Sequence, residues 1–115
     1  MPNMSRELVA ASSRPLILSI LSQGESYGYA IIQNVAKLTE GRLQWTEGML
    51  YPVLHKLEQD GAITAEWKQP EGERKRKYYR IKDDGQAALA KHQDDWMAVH
   101  NALTQLWKAT QRCFS

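Results

Sequence analysis

The sequence predicts a mainly helical α+β fold, with a winged helix-turn-helix domain over residues 1–82 and one long C-terminal helix over residues 83–115. Three observations support this fold class. Residues 46–63 combine a short amphipathic helical pattern, a glycine at position 61 and the start of an apolar strand. Residues 74–81 form a basic strand pattern that can pair with the first strand. Residues 89–113 repeat seam positions in steps of three and four, which is typical of a helix that meets another helix.

Size and composition indicate one small globular domain with an extra helix. The chain has 115 residues, of which 43% are hydrophobic and 24% charged, an ordinary balance for a folded protein. The single cysteine, Cys113, excludes an internal disulfide, so a cytoplasmic protein is expected. The most apolar N-terminal stretch, residues 16–21, is much shorter than the roughly 18–20 residues of a membrane span. We therefore expect no membrane segment and no signal peptide.

The first helix is expected to open at Ser13 or Arg14, because a proline such as Pro15 is well tolerated in a first helical turn. It should end at Gly24. Residues 1–13 then form either a loose arm or an extension of this helix, and the sequence does not decide between the two. The buried stripe of the helix should consist of Leu16, Ile17, Ile20 and Leu21.

Ser26 is expected to cap the second helix. The apolar face of that helix follows from its spacing and comprises Ile31, Ile32, Val35 and Leu38. Tyr27, Gly28 and Tyr29 fall in the first turn, where outward-pointing N–H groups and the helix dipole suit a phosphate. The alternative that the tyrosines only pack against their neighbours stays open.

The third helix separates an apolar face from a polar one. Its inward positions are Leu50, Val53, Leu54 and Leu57. The other side, which we expect to enter the major groove of DNA, comprises Thr46, Gly48, Met49, Tyr51, Pro52, His55, Lys56 and Gln59. Pro52 lies about one turn inside this helix and removes the bond to the carbonyl of Gly48. Either the helix begins near Tyr51, or it tolerates a kink.

Residues 62–68 and 77–81 alternate well enough to pair as two strands, with residues 70–73 as the turn. Trp67 and Tyr79 are then placed to pack across the sheet.

Positive charge is concentrated in this hairpin. Residues 68–82 contain seven basic and two acidic side chains, whereas the whole chain carries a net charge of only +2. Such a concentration is typical of a surface that binds a polyanion. The cations expected to reach DNA phosphates or a minor groove are Arg74, Lys75, Arg76 and Lys77. A merely solvated loop is the plainer alternative.

The last helix should begin at Asp83 or Asp84 and run to about residue 112. A heptad seam covers more than three repeats and consists of Leu89, His92, Trp96, Val99, Leu103, Leu106, Thr110 and Cys113. Trp107 lies beside it. Exposure of this many large apolar side chains is unusual in a monomer, so the pattern predicts a homodimer.

Three segments together resemble the PadR family of bacterial transcriptional regulators. They are Tyr-Gly-Tyr at 27–29, Gly-Met-Leu-Tyr-Pro-Val-Leu-His-Lys-Leu-Glu at 48–58 with Gly61 and Ile63, and Arg-Lys-Tyr-Tyr-Arg-Ile at 76–81 with Gly85. The resemblance spans roughly residues 14–107. The single C-terminal helix is similar to that of the short subfamily, whose members dimerise through it.

The resemblance implies a dimeric winged-helix repressor that binds an inverted repeat in double-stranded DNA and is released by a small molecule. It also implies that the side chains of Tyr51, His55 and Lys56 face DNA. Trp96 matches the tryptophan on which multidrug-sensing relatives stack planar aromatic ligands. The same region would include Met97, Val99 and His100. A structural role for Trp96 at a dimer seam is an equally good interpretation.

Two positions depart from the family pattern. Met49 stands where a small residue is usual, which can change the base preference. Lys82 replaces a common threonine before the last helix, which leaves Asp83 to supply the cap.

Other function classes have weaker support in the sequence. The pair His92 and Asp95 lacks further ligands at the spacing of a closed metal site, and no acid–base constellation or phosphate-binding glycine loop is visible, so we expect no catalysis, cofactor or metal. A protein-interaction module built on the last helix would not need the basic hairpin. A DNA-binding protein without a small-molecule effector remains the third alternative.

Overall fold

The computed structural model describes the backbone of residues 4–114 and the side chains of residues 4–109. Within these bounds the helices are α1 (Arg6–Ser22), α2 (Gly28–Leu38), α3 (Glu47–Gln59) and α4 (Asp83–Phe114). The strands are β1 (Ser26–Tyr27), β2 (Ile63–Lys68) and β3 (Arg76–Ile81), which form one antiparallel sheet in the order β1–β3–β2. The predicted α+β winged-helix class with a long last helix is confirmed.

Helix α1 begins earlier than expected. The hydroxyl of Ser5 accepts a hydrogen bond from the backbone N–H of Leu8 at 3.2 Å and caps the helix. The expected start at Ser13 or Arg14 is therefore wrong, and residues 6–13 extend the helix. Pro15 lies inside α1, where it removes one backbone hydrogen bond without ending the helix.

Ser26 does not cap α2. Ser26 and Tyr27 instead form β1 and pair with Tyr79 and Tyr78 of β3. Helix α2 consequently starts at Gly28 without a side-chain cap. A strand of two residues has too little pattern to be recognised in a sequence, because it exists only through its pairing with β3.

The apolar face of α2 is partly as expected. Ile31 and Val35 are buried, and Ile32 packs against the core from its edge. Leu38 is 64% exposed, so its assignment to the buried face is wrong. It is the last residue of the helix, where the face has already turned away from the core.

Helix α3 runs without interruption through Pro52. The Thr46 hydroxyl accepts a hydrogen bond from the N–H of Met49 at 3.2 Å, so the helix begins at Glu47 and not near Tyr51. It ends at Gln59, and Gly61 follows two residues later with a φ of 79°, a conformation that favours glycine.

The core lies between α1, α2, α3 and the inner face of the sheet. The members expected from the helical patterns include Ile17, Ile20, Leu21, Leu50, Leu54 and Leu57. Leu43 and Trp45 of the α2–α3 loop join them with 4% and 5% exposure, although no periodic pattern marks these two positions. Leu89 of α4 completes this side of the core.

Helix α4 begins at Asp83, one of its two expected starts. Lys82 precedes the helix, and its carbonyl accepts a hydrogen bond from the N–H of Gln86 at 2.9 Å. Asp83 is thus the first helical residue and not the cap; there its charge favours the positive end of the helix dipole. Between residues 93 and 109 every side chain is exposed except the half-buried Thr104.

Candidate nucleic-acid interface

The outer face of α3 is open to solvent as predicted. Its exposed residues are Gly48, Met49, Tyr51, Pro52, His55, Lys56 and Gln59. Opposite them, Leu50, Leu54 and Leu57 hold the helix on the core. This orientation leaves a continuous surface of one helix free for a groove of DNA.

The polar side chains on that face have only weak local partners. The Lys56 ammonium lies 3.6 Å from a carboxylate oxygen of Asp60, and the Gln59 amide nitrogen lies 3.2 Å from Nε2 of His55. Exposed pairs of this kind stabilise a protein by well under about 1 kcal/mol. These groups can therefore exchange their present partners for phosphates or base edges at little cost.

The hairpin formed by β2, β3 and the turn between them is termed the wing. Its register pairs Ile63 with Ile81 at one end and Lys68 with Arg76 at the other. The predicted strands agree with this hairpin to within one residue. Trp67 and Tyr79 share a face but do not form a cross-strand pair, since Trp67 faces Lys77 and Tyr79 faces Ala65.

Aromatic rings hold the cations of the wing in place. The Arg76 guanidinium lies 4.4 Å from the centre of the Tyr27 ring, and the Lys75 ammonium lies 5.8 Å from that of Trp67. Contacts of this type orient a cation without neutralising its charge. Arg76 also reaches a carboxylate oxygen of Glu73 at 3.4 Å.

A groove of about 400 Å³ separates the wing from the start of α2 and α3; it is termed the wing groove. Its residues are Tyr27, Gly28, Tyr29, Glu47, Tyr51, Trp67, Arg74, Lys75, Arg76, Lys77 and Tyr79. The structure thus brings the start of the second helix, Tyr51 of the third helix and the wing cations into one depression. The other expected residues of the third helix lie outside its lining: Thr46, Gly48, Met49, Pro52, His55, Lys56 and Gln59. Four of the lining side chains are cationic and one is anionic, so the groove favours an anion.

Gly28 allows the ring of Tyr51 to approach the backbone of α2. A Cβ atom at position 28 would lie 2.5 Å from the Tyr51 hydroxyl oxygen and 3.0 Å from its ring carbon. Tyr51 is still 41% exposed, so its outer edge remains available.

The two tyrosines of the Tyr-Gly-Tyr segment differ in their surroundings. Tyr27 is half-buried and meets the Tyr78 ring edge-on at a centroid distance of 5.4 Å. Tyr29 is 58% exposed and accepts a hydrogen bond from the side-chain amide of Gln33 at 2.7 Å. Packing therefore describes Tyr27 well, whereas Tyr29 is the more exposed of the two and its hydroxyl is paired with Gln33.

Helix α3 and the wing are coupled through charged and buried groups. The Lys77 ammonium lies 3.3 Å from a carboxylate oxygen of Glu58 and 5.5 Å from the centre of the Tyr79 ring. Burial raises the pKa of the Tyr79 phenol to about 12, and the neighbouring Tyr51 and Glu58 add to the rise. The wing is thus fixed relative to α3.

The turn end of β2 is tied to the segment between α1 and β1. The Lys68 ammonium donates to both carboxylate oxygens of Glu25 at 2.9 Å. This hydrogen bond, with the Glu25 and Glu66 charges, raises the pKa of Lys68 above its usual value, while partial desolvation and Arg80 oppose the rise. Lys68 therefore contributes less free positive charge to the surface than the sequence alone indicates.

The residues expected at a dimer seam and a ligand site lie along α4. An apolar groove of about 410 Å³ between α1 and α4, termed the α1–α4 groove, is lined by Met4, Leu8, Ser12, Pro15, Leu16, Ser19, Thr39, Leu43, Leu89, His92, Gln93, Trp96 and Met97. Trp96 and Met97 thus meet in one depression, whereas Val99 and His100 lie beyond it.

The seam residues differ in accessibility. Leu89 is buried in the core of its own chain at 5% exposure, so its expected place at a dimer interface is corrected. His92 is half-buried. The exposed seam residues are Trp96, Val99, Leu103, Leu106 and Trp107, with exposures of 37% to 63%. The side chains of Thr110 and Cys113 lie outside the described residues.

In the part of the chain that the structure describes, no three His, Cys, Asp or Glu side chains come together as a metal site. No helix in that part is long and apolar enough to cross a membrane.

Comparison with known proteins gives concordant results. Residues 17–91 match the model of the transcriptional regulator PadR-like family. The chain is 36% identical over 84 residues to the transcriptional regulator Rv3488 of Mycobacterium tuberculosis, covering 73% of this chain and 75% of that protein. It is 34% identical over 88 residues to an uncharacterized protein of Lysinibacillus sphaericus, covering 76% and 81% of the two chains.

Solved structures share the whole arrangement. A PadR-like transcriptional regulator from Bacillus cereus superposes with a TM-score of 0.78 at 30% identity, covering 87% of this chain and 95% of that one. A transcriptional regulator from Clostridium thermocellum gives a TM-score of 0.79 at 26% identity, with 89% and 96% coverage.

Proposed function

Because this chain belongs to the PadR-like family of transcriptional regulators, we propose that it acts as a homodimeric repressor that binds an inverted-repeat operator. The wing groove supports this proposal, since Tyr51 of the open α3 face and the four wing cations line it together. A duplex along this side meets α3 in its major groove and the wing at its backbone. Family membership also makes the chain a regulator and not an enzyme.

Individual roles follow from position on α3. Tyr51 borders the wing groove and Lys56 lies further along the helix, and we assign both to the phosphate backbone. His55 and Gln59 lie one turn apart on the outer face and are assigned to base edges. Met49, 45% exposed near the start of the helix, supplies an apolar contact on the same face.

Dimerisation is proposed along the exposed end of α4. Val99 and Trp107 are 56% and 59% exposed, and Leu103 lies between them on the helix. Burial of such side chains against a second copy stabilises association by about 25 cal/mol per Å² of apolar surface before the costs of binding. Twofold symmetry of the protein then matches an inverted repeat.

We further propose that a small planar aromatic molecule releases the protein from DNA. Its support is the almost entirely apolar α1–α4 groove, which has Trp96 and Met97 in its lining. A ligand there releases DNA only if it binds more tightly to a dimer geometry that does not fit the operator, with a typical coupling of ~1–3 kcal/mol. We place the protein in the cytoplasm, where promoter DNA is accessible.

The first test is fluorescence anisotropy with duplex DNA from upstream of the coding region, titrated at several salt concentrations beside a scrambled duplex. Tight binding to the upstream duplex alone, weakening steeply with salt, is expected. If neither duplex binds, a pool of random duplexes is offered for selection. Failure of the chain to enrich any sequence from that pool would contradict the proposal.

The wing is tested by replacing Lys75 and Arg76 together with alanine. Loss of two cations should weaken binding to every sequence and reduce the slope of log K against log salt by about 2. The matched control replaces Lys91 and Lys108 of α4, two cations of the same total charge that lie away from the wing groove. Equal slopes for the wing variant and the control would remove the wing from the interface.

A further inference from the structure

Trp67 is a large apolar side chain on the wing whose exposure requires an explanation. It lies on the same face of the sheet as Ile63 and Tyr79. Those two are buried at 2% exposure each, whereas Trp67 is 60% exposed. The face therefore changes from core to open surface along β2. A single exposed apolar residue is common, so the surroundings of Trp67 decide whether it has a role.

The indole of Trp67 lines the wing groove together with the four cations of the wing. The ammonium of Lys75 lies 5.8 Å from its ring centre. On the other side of the groove stand Tyr51 and the start of α2 at Gly28. The groove thus offers apolar ring surface and positive charge to the same occupant.

A DNA strand has the alternating chemistry that this lining suits. Each nucleotide presents a charged phosphate followed by a deoxyribose whose carbon face is apolar. Cations such as Arg74 and Lys75 satisfy the phosphates, and an indole beside them covers a sugar or the edge of a base. An acidic peptide would also match the cations, but its backbone does not repeat an apolar sugar beside every charge.

We propose that Trp67 contacts the deoxyribose of the DNA strand that passes through the wing groove, as an apolar contact independent of the wing charges. This inference rests on the proposed DNA-binding function and adds a binding residue to it. The contact is independent of sequence, because every nucleotide carries the same sugar.

The test uses the full chain and a fluorescein-labelled duplex that the wild-type protein enriches from random DNA. Trp67→Ala is expected to weaken binding about tenfold while leaving the slope of log K against log salt unchanged. Trp67→Phe, which keeps a ring, should bind nearly as well as wild type. Lys75→Ala should instead lower the slope by about 1. Circular dichroism and the thermal midpoint of each variant check that the fold is retained.

Three other outcomes are distinct. Wild-type affinity in Trp67→Ala would overturn the contact. A reduced slope in Trp67→Ala, equal to that of Lys75→Ala, would also overturn it, because the indole would then act only by positioning the ammonium. If the wild-type protein enriches no duplex at all, the DNA-binding function itself fails, and the contact fails with it.

Discussion

Gly28 and Tyr51 lie against each other in the lining of the wing groove, and the pair shows how one backbone position determines where a side chain can lie. No room exists for a Cβ atom at position 28 while the Tyr51 ring keeps its place. Gly28 has no left-handed conformation, so close approach is the reason for glycine here.

We expect Gly28→Ala to push the Tyr51 ring outward and to weaken DNA binding about tenfold or more. The loss in the free energy of unfolding should be less than about 1 kcal/mol, because the new methyl group meets the outer end of a partly exposed side chain and not a packed core. In the background of Tyr51→Ala the same change should be neutral or stabilising, because alanine is the better helix former. Urea unfolding and anisotropy of the four proteins of this double-mutant cycle measure both effects. Additive effects would show that the two residues are not coupled.

Periodic sequence patterns predicted most of the helices and strands. The remaining ones depend on contacts between residues far apart in the sequence. Leu50, Leu54 and Leu57 repeat with helical spacing, and for that reason α3 and its open face were predictable. The strand β1 was not, since its two residues gain their conformation from Tyr78 and Tyr79, about fifty positions away. The sequence misplaces the start of α1, because Pro15 is a strong signal for a first helical turn and the cap is Ser5, ten residues earlier.

The candidate site was predictable as a set of residues but not as a groove. The spacing of α3 and the basic run of the wing predicted Tyr51 and the four wing cations, and the Tyr-Gly-Tyr segment predicted the α2 side of the lining. For Trp67 the sequence predicts only packing against Tyr79. Strand alternation places the two residues on one face of the sheet, but it does not show where along the strand that face leaves the core.

The contact between α3 and the wing should make stability sensitive to high pH. The pKa of Tyr79 is about 12 in the folded chain, compared with 10.0 for a free tyrosine. The folded state therefore holds this proton more tightly, so the stabilisation is fully present below pH 10 and is lost as the pH rises through 12. The loss amounts to at most about 2–3 kcal/mol.

Tyr79→Phe keeps the ring and removes the titrating group. Urea unfolding at pH 9 and pH 11.5 should show a smaller decrease of the free energy of unfolding in Tyr79→Phe than in wild type. Tyr29→Phe, which changes an exposed tyrosine, is the control and should retain the wild-type decrease. Equal decreases in all three proteins would contradict the assignment to Tyr79.

The molecule as a whole is elongated. The radius of gyration is 16.7 Å and the principal extents are 59 × 32 × 22 Å, whereas a compact chain of this length has a radius of about 13 Å. The extra length comes from α4, whose distal half leaves the body of the domain with its side chains exposed.

Leu103→Glu tests the proposed dimer at this scale. Each copy would bury one carboxylate at the interface, so the dimer would contain two unpaired buried charges. The dimer dissociation constant should therefore rise at least ~100-fold. Light scattering should then give the 13.2 kDa mass of one chain, compared with twice that mass for wild type. Ala102→Glu adds the same charge at a neighbouring exposed position and should stay dimeric. A monomeric wild-type protein would contradict the dimer.

The junction between the wing and α4 is rigid. The N–H of Lys82 donates to the carbonyl of Ala62 at 2.9 Å, and Gly85 abuts the same carbonyl so closely that no side chain fits. These contacts fix the start of α4 against the domain, so we expect the two to move together. For a helix of 32 residues, about 48 Å long, a tilt of roughly 5° at the far end displaces the domain by about 4 Å. In the proposed dimer a displacement of that size would exceed the 3.4 Å rise between successive base pairs, so a small tilt at the seam would be enough to put the two wings out of phase with their half-sites.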